Sequence, residues 1–466
     1  MLKIYVNSLI FNIFRRLIIG QFTMKAVKYI RWLILLAICI SYGQNKFGLL
    51  DGQRSEKVSF DFINNLIVLE VEVNKIPLSF IVDTGVNKPI LFDISPEDSL
   101  DIHSPKDIYI KGLGGGEPLR AIHSKNNEFK IGRIINRHQD FYLIRDANVN
   151  FSQQIGYRVH GIIGFDLFKN FIVEVNYKNE RMRFYDPQQY RYKNCRNCES
   201  LPLELEGSKA YVHGYIKQYS HMEEIPVKLL LDSGSCDALW LFENTEGEIA
   251  GPVKFFDDLL GFGLSGKIHG KRARLQRFRI GDFEIQQTKV SYPDSISLRY
   301  LNVMGDRNGS LGSEILRRFK VVFDYPNQKL TLKKNGDFND PFLYNMSGIQ
   351  LEHNGMRIVK AMSQDIDQGR RLAHKSGGNY IPLRNTLKFE LHPAIQIADV
   401  RLNSPADKVG LRKGDVILSV NRKDISSYSL QQITQMINTK PGKRIQLEID
   451  RQGSFLKFAF ELKKVL

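Results

Sequence analysis

The chain is 466 residues long, 42% hydrophobic and 25% charged, with a formal net charge of +16. That composition excludes a disordered or fibrous chain and leaves room for two or three domains with cores of their own. Nor does the charge mark a nucleic-acid binder, because residues 1–43 hold six basic residues and no acidic one, while elsewhere 60 basic side chains stand against 50 acidic ones.

In chain order, the first element is a leader. Met24 opens MKAVKYIRW, with Lys25, Lys28 and Arg31, followed by the apolar LILLAICI and the small residues Ser41 and Gly43. This is the layout of an export signal cleaved near Gln44, with residues 1–23 an over-called start, and it places the mature chain in the periplasm or cell envelope. The apolar run is shorter than a membrane-spanning helix needs, which disfavours an uncleaved anchor. Cys39 resembles a lipid-attachment cysteine, although Ile38 is bulkier than the residue usual before one.

Next come strands. LIVLEVEVNKIPLSFIVD, ending at Asp83, alternates, is rich in β-branched residues, and turns at NK. The motif DTG (Asp83, Thr84, Gly85) follows, then GLGGG from Gly112, GIIG from Gly161 to Gly164, a helical turn at 165–169 and the hairpin FIVEVNYKNERMRFYD. The series then repeats: VKLLLD runs into DSG (Asp232, Ser233, Gly234), then GFGLSG from Gly261, GSLG from Gly309 to Gly312, a helical turn at 313–318 and FKVVFDYPNQKLTLKK. Both aspartates precede their glycine clusters by 29 residues, and GIIG and GSLG follow at nearly equal distances. An internal duplication of β-rich lobes is the reading, over 56–190 and 205–335 with a linker at 191–204.

A strand-end Asp followed by Gly is usually a turn; two in register are a different matter. If the lobes pack about a pseudo-twofold axis, Asp83 and Asp232 meet, and two adjacent carboxylates share one proton, giving an acid and a base in one place. Gly85 and Gly234 let the backbone close on the carboxylates, and the hydroxyls of Thr84 and Ser233 can bond across the lobe interface.

DTG with GIIG, and DSG with GSLG, resemble the aspartic proteases of the retropepsin and pepsin type over about residues 56–335. The resemblance implies Asp83 and Asp232 as the catalytic dyad, Thr84, Gly85, Ser233 and Gly234 as loop support, and flaps at Gly112, Gly114, Gly115 and at Gly261, Gly263. Val86 and Ser310 depart from the pattern, Ser310 replacing an apolar position of the second supporting motif. No cofactor or metal is implied: Cys195 and Cys198 form a lone CxxC, read as a local disulfide or two free thiols. His123, His160 and His269 are isolated, and GFGLSG leads into a strand and not the helix a dinucleotide site requires. Cys236 is expected to pack as a small apolar residue. The basic run Lys271 to Arg279 alternates like a solvated strand face.

The pattern changes near Gly348. SPADKVGL, KGDVILSVN, a helix at 429–438 and IQLEIDRQG resemble a PDZ domain of the bacterial protease-associated kind, spanning 347–466 with an insertion near 364–389. Such a domain takes up an extended or C-terminal peptide at a sheet edge beside its helix. The expected fold class is thus mainly β: two pseudo-symmetric lobes of the acid-protease kind followed by an α+β PDZ domain. The expected activity is an exported aspartic endopeptidase acting on proteins or peptides, with no nucleic-acid partner and membrane contact only through the leader or a lipid. Two rivals keep these parts: a peptide-binding chain without catalysis, and an envelope scaffold that uses the PDZ domain alone.

Overall fold

The computed structural model describes residues 46–95, 98–146, 149, 151–192, 195–243, 249–299, 306–366 and 383–466. The leader lies outside these residues. Strands dominate, as their alternating, β-branched sequences require, and they form four sheets.

The first lobe is built around the Ile76–Val82 strand, which pairs antiparallel with Leu66–Val73 and parallel with Gly161–Ile163 (Gly161 opposite Phe80). The second lobe repeats this around Ile225–Asp232, which pairs antiparallel with Lys209–Lys217 and parallel with Gly309–Gly312 (Leu229 opposite Gly309). In each lobe a short helix follows the supporting motif, Phe165–Phe168 and Ser313–Leu316.

A third sheet joins the lobes. Its order is Cys198–Pro202, Lys329–Lys334, Phe319–Asp324, Ile172–Asn176, Arg181–Tyr185 and Ser55–Ser59. Read from either end it is a mirror of itself, and the two central strands pair antiparallel with Glu174 opposite Val322. The axis relating the lobes runs through that pair. One core is continuous across it: Phe80, Val82, Ile163 and Phe168 share a cluster with Leu229, Leu231, Leu311 and Phe323. Each such buried side chain stabilises the fold by about 2 kcal/mol.

The C-terminal sheet runs Ile349–Ile366, Leu383–Val400, Val416–Val420, Arg444–Arg451 and Ser454–Glu461, with its own core of Ile349, Ile397, Leu411, Ile433 and Leu447 among others. The helix Leu430–Met436 is fixed by a capping box, Ser429 Oγ accepting from Gln432 N while the Gln432 side chain accepts from Ser429 N. Of the stretch 364–389 read as an insertion, residues 364–366 and 383–389 extend the first two strands of this sheet, and 367–382 lie outside the described residues. Cys195 and Cys198 are bonded to each other, at the entry to the interlobe sheet.

Two expectations are corrected. Cys236 is exposed, because the loop after Asp232 turns its side chain outward while the carbonyl accepts from Asn65 Nδ2 at 3.0 Å. The basic run keeps its alternation but is only partly solvated: Arg272 turns inward into ion pairs, and the half-buried Arg277 and Arg279 both reach Glu224, at 2.8 and 2.7 Å.

Candidate active site

Asp83 follows the last residue of its strand, and Asp232 is the last residue of the equivalent one, so both loops emerge at the lobe interface. There the hydroxyls interlock. Thr84 Oγ1 accepts from Ser233 N at 3.0 Å and donates to the Leu231 carbonyl at 2.7 Å; Ser233 Oγ accepts from Thr84 N at 3.0 Å and donates to the Val82 carbonyl at 2.7 Å. Both side chains are buried, so four bonds with no competing water hold the two loops in register.

This clasp brings the carboxylates together. Gly85 N donates to Asp83 Oδ1 at 2.7 Å. A Cβ on Gly85 would stand 3.1 Å from Asp83 Oδ1 and 3.6 Å from Asp232 Oδ1, so one backbone atom borders both groups. At Gly234 a Cβ would lie 2.3 Å from Asp83 Cγ, which only glycine permits. The supporting motifs are equally tight: a Cβ on Gly164 would meet the Asp83 carbonyl, and one on Gly312 the Asp237 carbonyl at 2.2 Å.

The electrostatics follow from the packing. Burial and the neighbouring charge of Asp232 push the Asp83 carboxyl up to about 7, against the opposing pull of the Gly85 amide, Lys209 and the Gly234 amide. Burial also raises Asp232, but Arg307, the Ser235 amide, Lys209 and the Gly234 amide draw it back. The pair therefore holds a shared proton into the neutral range.

The glycine clusters meet each other. Gly112 N donates to Ser265 Oγ at 3.2 Å, Gly116 N to the Ser265 carbonyl at 2.7 Å, and Ser265 N to the Leu113 carbonyl at 2.9 Å. Gly114, at φ +117°, passes so close that a Cβ would fall 2.5 Å from the Ser265 carbonyl carbon. Gly115 sits against Ile296, and a Cβ on Gly263 would fall 2.2 Å from the Leu113 carbonyl oxygen; Gly261 has open space around it. Leu264, at the tip of the second lobe's hairpin, packs into the first lobe's cluster that contains Ile81, Ile162 and Val86.

Three groups escaped the sequence reading. Lys209 and Arg307 flank Asp232. Asp237, three residues past the DSG motif, is buried and accepts from Arg272 Nη1 at 2.7 Å, Trp240 Nε1 at 2.9 Å and Ser291 Oγ at 2.9 Å. Although burial alone would raise it, Arg272 and Lys289 hold its carboxyl far below the usual range. Asp258 then accepts from Arg272 Nε at 2.7 Å and faces Arg401 of the C-terminal domain, whose guanidinium lies 4.6 Å from the Phe256 ring. The alternating cations were visible in sequence; their acidic partners are dispersed along the chain.

In the C-terminal domain, Ile349–Ile366 is one of the two edge strands, and the Leu430–Met436 helix packs beside it. The amides of Met346 and Ser347, just before that strand, both donate to Asn438 Oδ1, at 3.0 and 3.1 Å. The first lobe's helix Phe151–Ile155 approaches the same strand, and Gly156 lies against Leu430.

Known proteins share parts of this chain. It is 37% identical over 78 residues to the serine endoprotease DegS of Haemophilus influenzae, covering 16% of this chain and 22% of that protein. It is 42% identical over 62 residues to a probable periplasmic serine endoprotease, DegP-like, of Chlamydia muridarum, covering 13% and 12%. The chain thus spans about a fifth or less of the length of these relatives. Among solved structures, the aspartic proteinase from Irpex lacteus aligns with 61% of this chain and 98% of its own at a TM-score of 0.40 and 14% identity, a level that carries no argument about chemistry. Residues 396–451 match the PDZ domain family, and the chain is a mainly β protein with a C-terminal PDZ domain.

Proposed function

We propose that this chain is an aspartic-type endopeptidase in which Asp83 and Asp232 activate one water molecule, and that the PDZ domain docks substrate or partner peptides. The observation that carries the reading is the clasp of Thr84 and Ser233, which sets two carboxyl groups of raised pKa side by side across a lobe interface. The ionised member takes a proton from water as the protonated member donates to the scissile carbonyl, and the tetrahedral intermediate collapses without an enzyme adduct. The paired glycine loops serve as flaps over the bound chain.

The two serine endoproteases that share part of this sequence, one of them named as a probable periplasmic enzyme, are consistent with export and with a PDZ domain attached to proteolysis. Their nucleophile is not carried over, since the shared stretch is a small part of each. The test is hydrolysis of unfolded casein between pH 3 and 8 by the chain from residue 44 onward. Either Asp83→Asn or Asp232→Asn alone is expected to lower kcat/KM by at least about a thousandfold, since removing one member leaves no acid–base pair. Hydrolysis that survives either change would overturn the shared dyad.

A further inference from the structure

The two lobes present matching strands to the dyad, and the faces they present differ. Residues opposite one another in a sheet share a face. In the first lobe Val68 lies opposite Ile81, and Ile162 also lies opposite Ile81. Continuing the register sets Leu66 across from Asp83. Val159, two residues before GIIG, completes the patch, and all five side chains belong to one buried apolar cluster.

In the second lobe the equivalent positions read differently. Tyr211 and Ser310 lie opposite Leu230, and the same register sets Lys209 across from Asp232. Arg307 stands two residues before GSLG, where the first lobe has Val159. It is buried, at 8% exposure, and its Nε donates to the Gly309 carbonyl at 2.8 Å while Nη2 donates to Ser310 Oγ. Its guanidinium lies 5.2 Å from the Phe242 ring centre. Leu230 and Asp232 face the cleft together, since both border the Cβ position of Gly85, at 3.5 and 3.6 Å. An apolar patch behind one carboxylate is therefore matched by two cations, a phenol and a hydroxyl behind the other.

We propose that Arg307 is a positioning residue that decides which carboxylate carries the proton: it keeps Asp232 ionised as the base and leaves Asp83 as the acid. The inference rests on the dyad being the hydrolytic pair. It also accounts for Ser310 in the supporting motif, because the hydroxyl is what orients the guanidinium. The other titratable groups facing the pair are Tyr211 on the Lys209–Lys217 strand and Tyr325 behind Asp83; Asp306, beside Arg307, is ion-paired with Lys228 at 3.0 Å. Burial and Asp232 set Asp83 high, whereas Arg307 leads the groups that lower Asp232.

The test compares wild type with Arg307→Lys, Arg307→Met and the double variant Arg307→Val with Ser310→Ile, which installs the first lobe's pair and guards against a folding failure of the single change. Two quantities are read: the pH profile of casein hydrolysis, and the titration of carbon-13-labelled aspartate carboxyls, assigned by difference against Asp232→Asn. In Arg307→Met and in the double variant the acid limb is expected to move up by about one pH unit, so kcat/KM below the limb falls about tenfold. The lower carboxyl titration moves with it. Arg307→Lys keeps both near wild type. A rate lowered equally at every pH, or an unmoved carboxyl titration in a folded variant, would overturn the proposal. Should the wild type hydrolyse nothing, the hydrolytic reading falls, while the carboxyl titration still decides whether Arg307 sets the proton.

Discussion

A carboxyl that titrates near 7 in the folded chain and near 3.8 in the unfolded one binds its proton more tightly when folded. Its contribution to stability is therefore greatest in acid and is lost as the pH rises from about 4 to about 7. Asp83→Asn removes that loss. At pH 8 the variant is expected to exceed wild type by on the order of 2 kcal/mol, allowing for solvent screening at the half-buried site, and at pH 3.5 the two should agree. Guanidinium unfolding at both pH values measures this; a gain independent of pH would show that the carboxyl is not the cause. At this scale the sequence revealed the residues whose role depends on near neighbours in the chain: DTG and DSG each carry carboxylate, hydroxyl and glycine in three positions. Lys209 and Arg307 were illegible because they reach Asp232 through strand pairing, from one strand before it and one far after it. Ser310 was visible only as a departure, since its partner lies three residues back and acts through space.

Among elements, the Thr84 and Ser233 bonds tie two loops that belong to different strands. Thr84→Val keeps the shape, yet leaves the Ser233 amide and the Leu231 carbonyl buried without partners. The expected cost is about 2–4 kcal/mol, read from chemical denaturation, together with a larger relative loss of hydrolysis than of stability as the carboxylates drift apart. A change below about 0.5 kcal/mol would mean that the loops are held elsewhere. Strand alternation and the two short helices were readable from the chain, as was the PDZ helix; its capping box came only with the structure. The helix Phe151–Ile155 was not, because it is five residues with one buried side chain, and tertiary contact with the C-terminal domain supplies what periodicity cannot. The meeting of the glycine clusters was equally hidden. Each cluster signalled mobility, while the bonds through Ser265 depend on two hairpins converging from opposite lobes.

On the scale of the whole molecule, the duplication was legible because four landmarks recur at matching offsets, and the mirrored order of the interlobe sheet is its spatial counterpart. The attachment of the PDZ domain was not, since it runs through charges far apart in sequence: Asp237 to Arg272, Arg272 to Asp258, and Asp258 to Arg401. Arg401→Met is expected to cost about 1–3 kcal/mol and to separate PDZ unfolding from that of the lobes in calorimetry. A single unchanged transition would show that the remaining contacts, Gln350 Nε2 to the Leu259 carbonyl at 3.1 Å and Gly156 against Leu430 among them, suffice to join them.

The bonds through Ser265 also set a population. On the proposed hydrolytic reading, a polypeptide lies across the dyad only after Gly112, Gly116 and Leu113 release the buried Ser265, and these three bonds are together worth about 2–4 kcal/mol. The receptive form then makes up on the order of 0.1–5% of molecules at any instant, and apparent affinity for any incoming chain is weakened by that same fraction. A short peptide that slips in during one opening pays this toll once and leaves. On the same proposal, a long unfolded chain docked on the PDZ domain would be present at every opening, and tethering would turn a rarely open entrance into a preference for substrates long enough to wait at it.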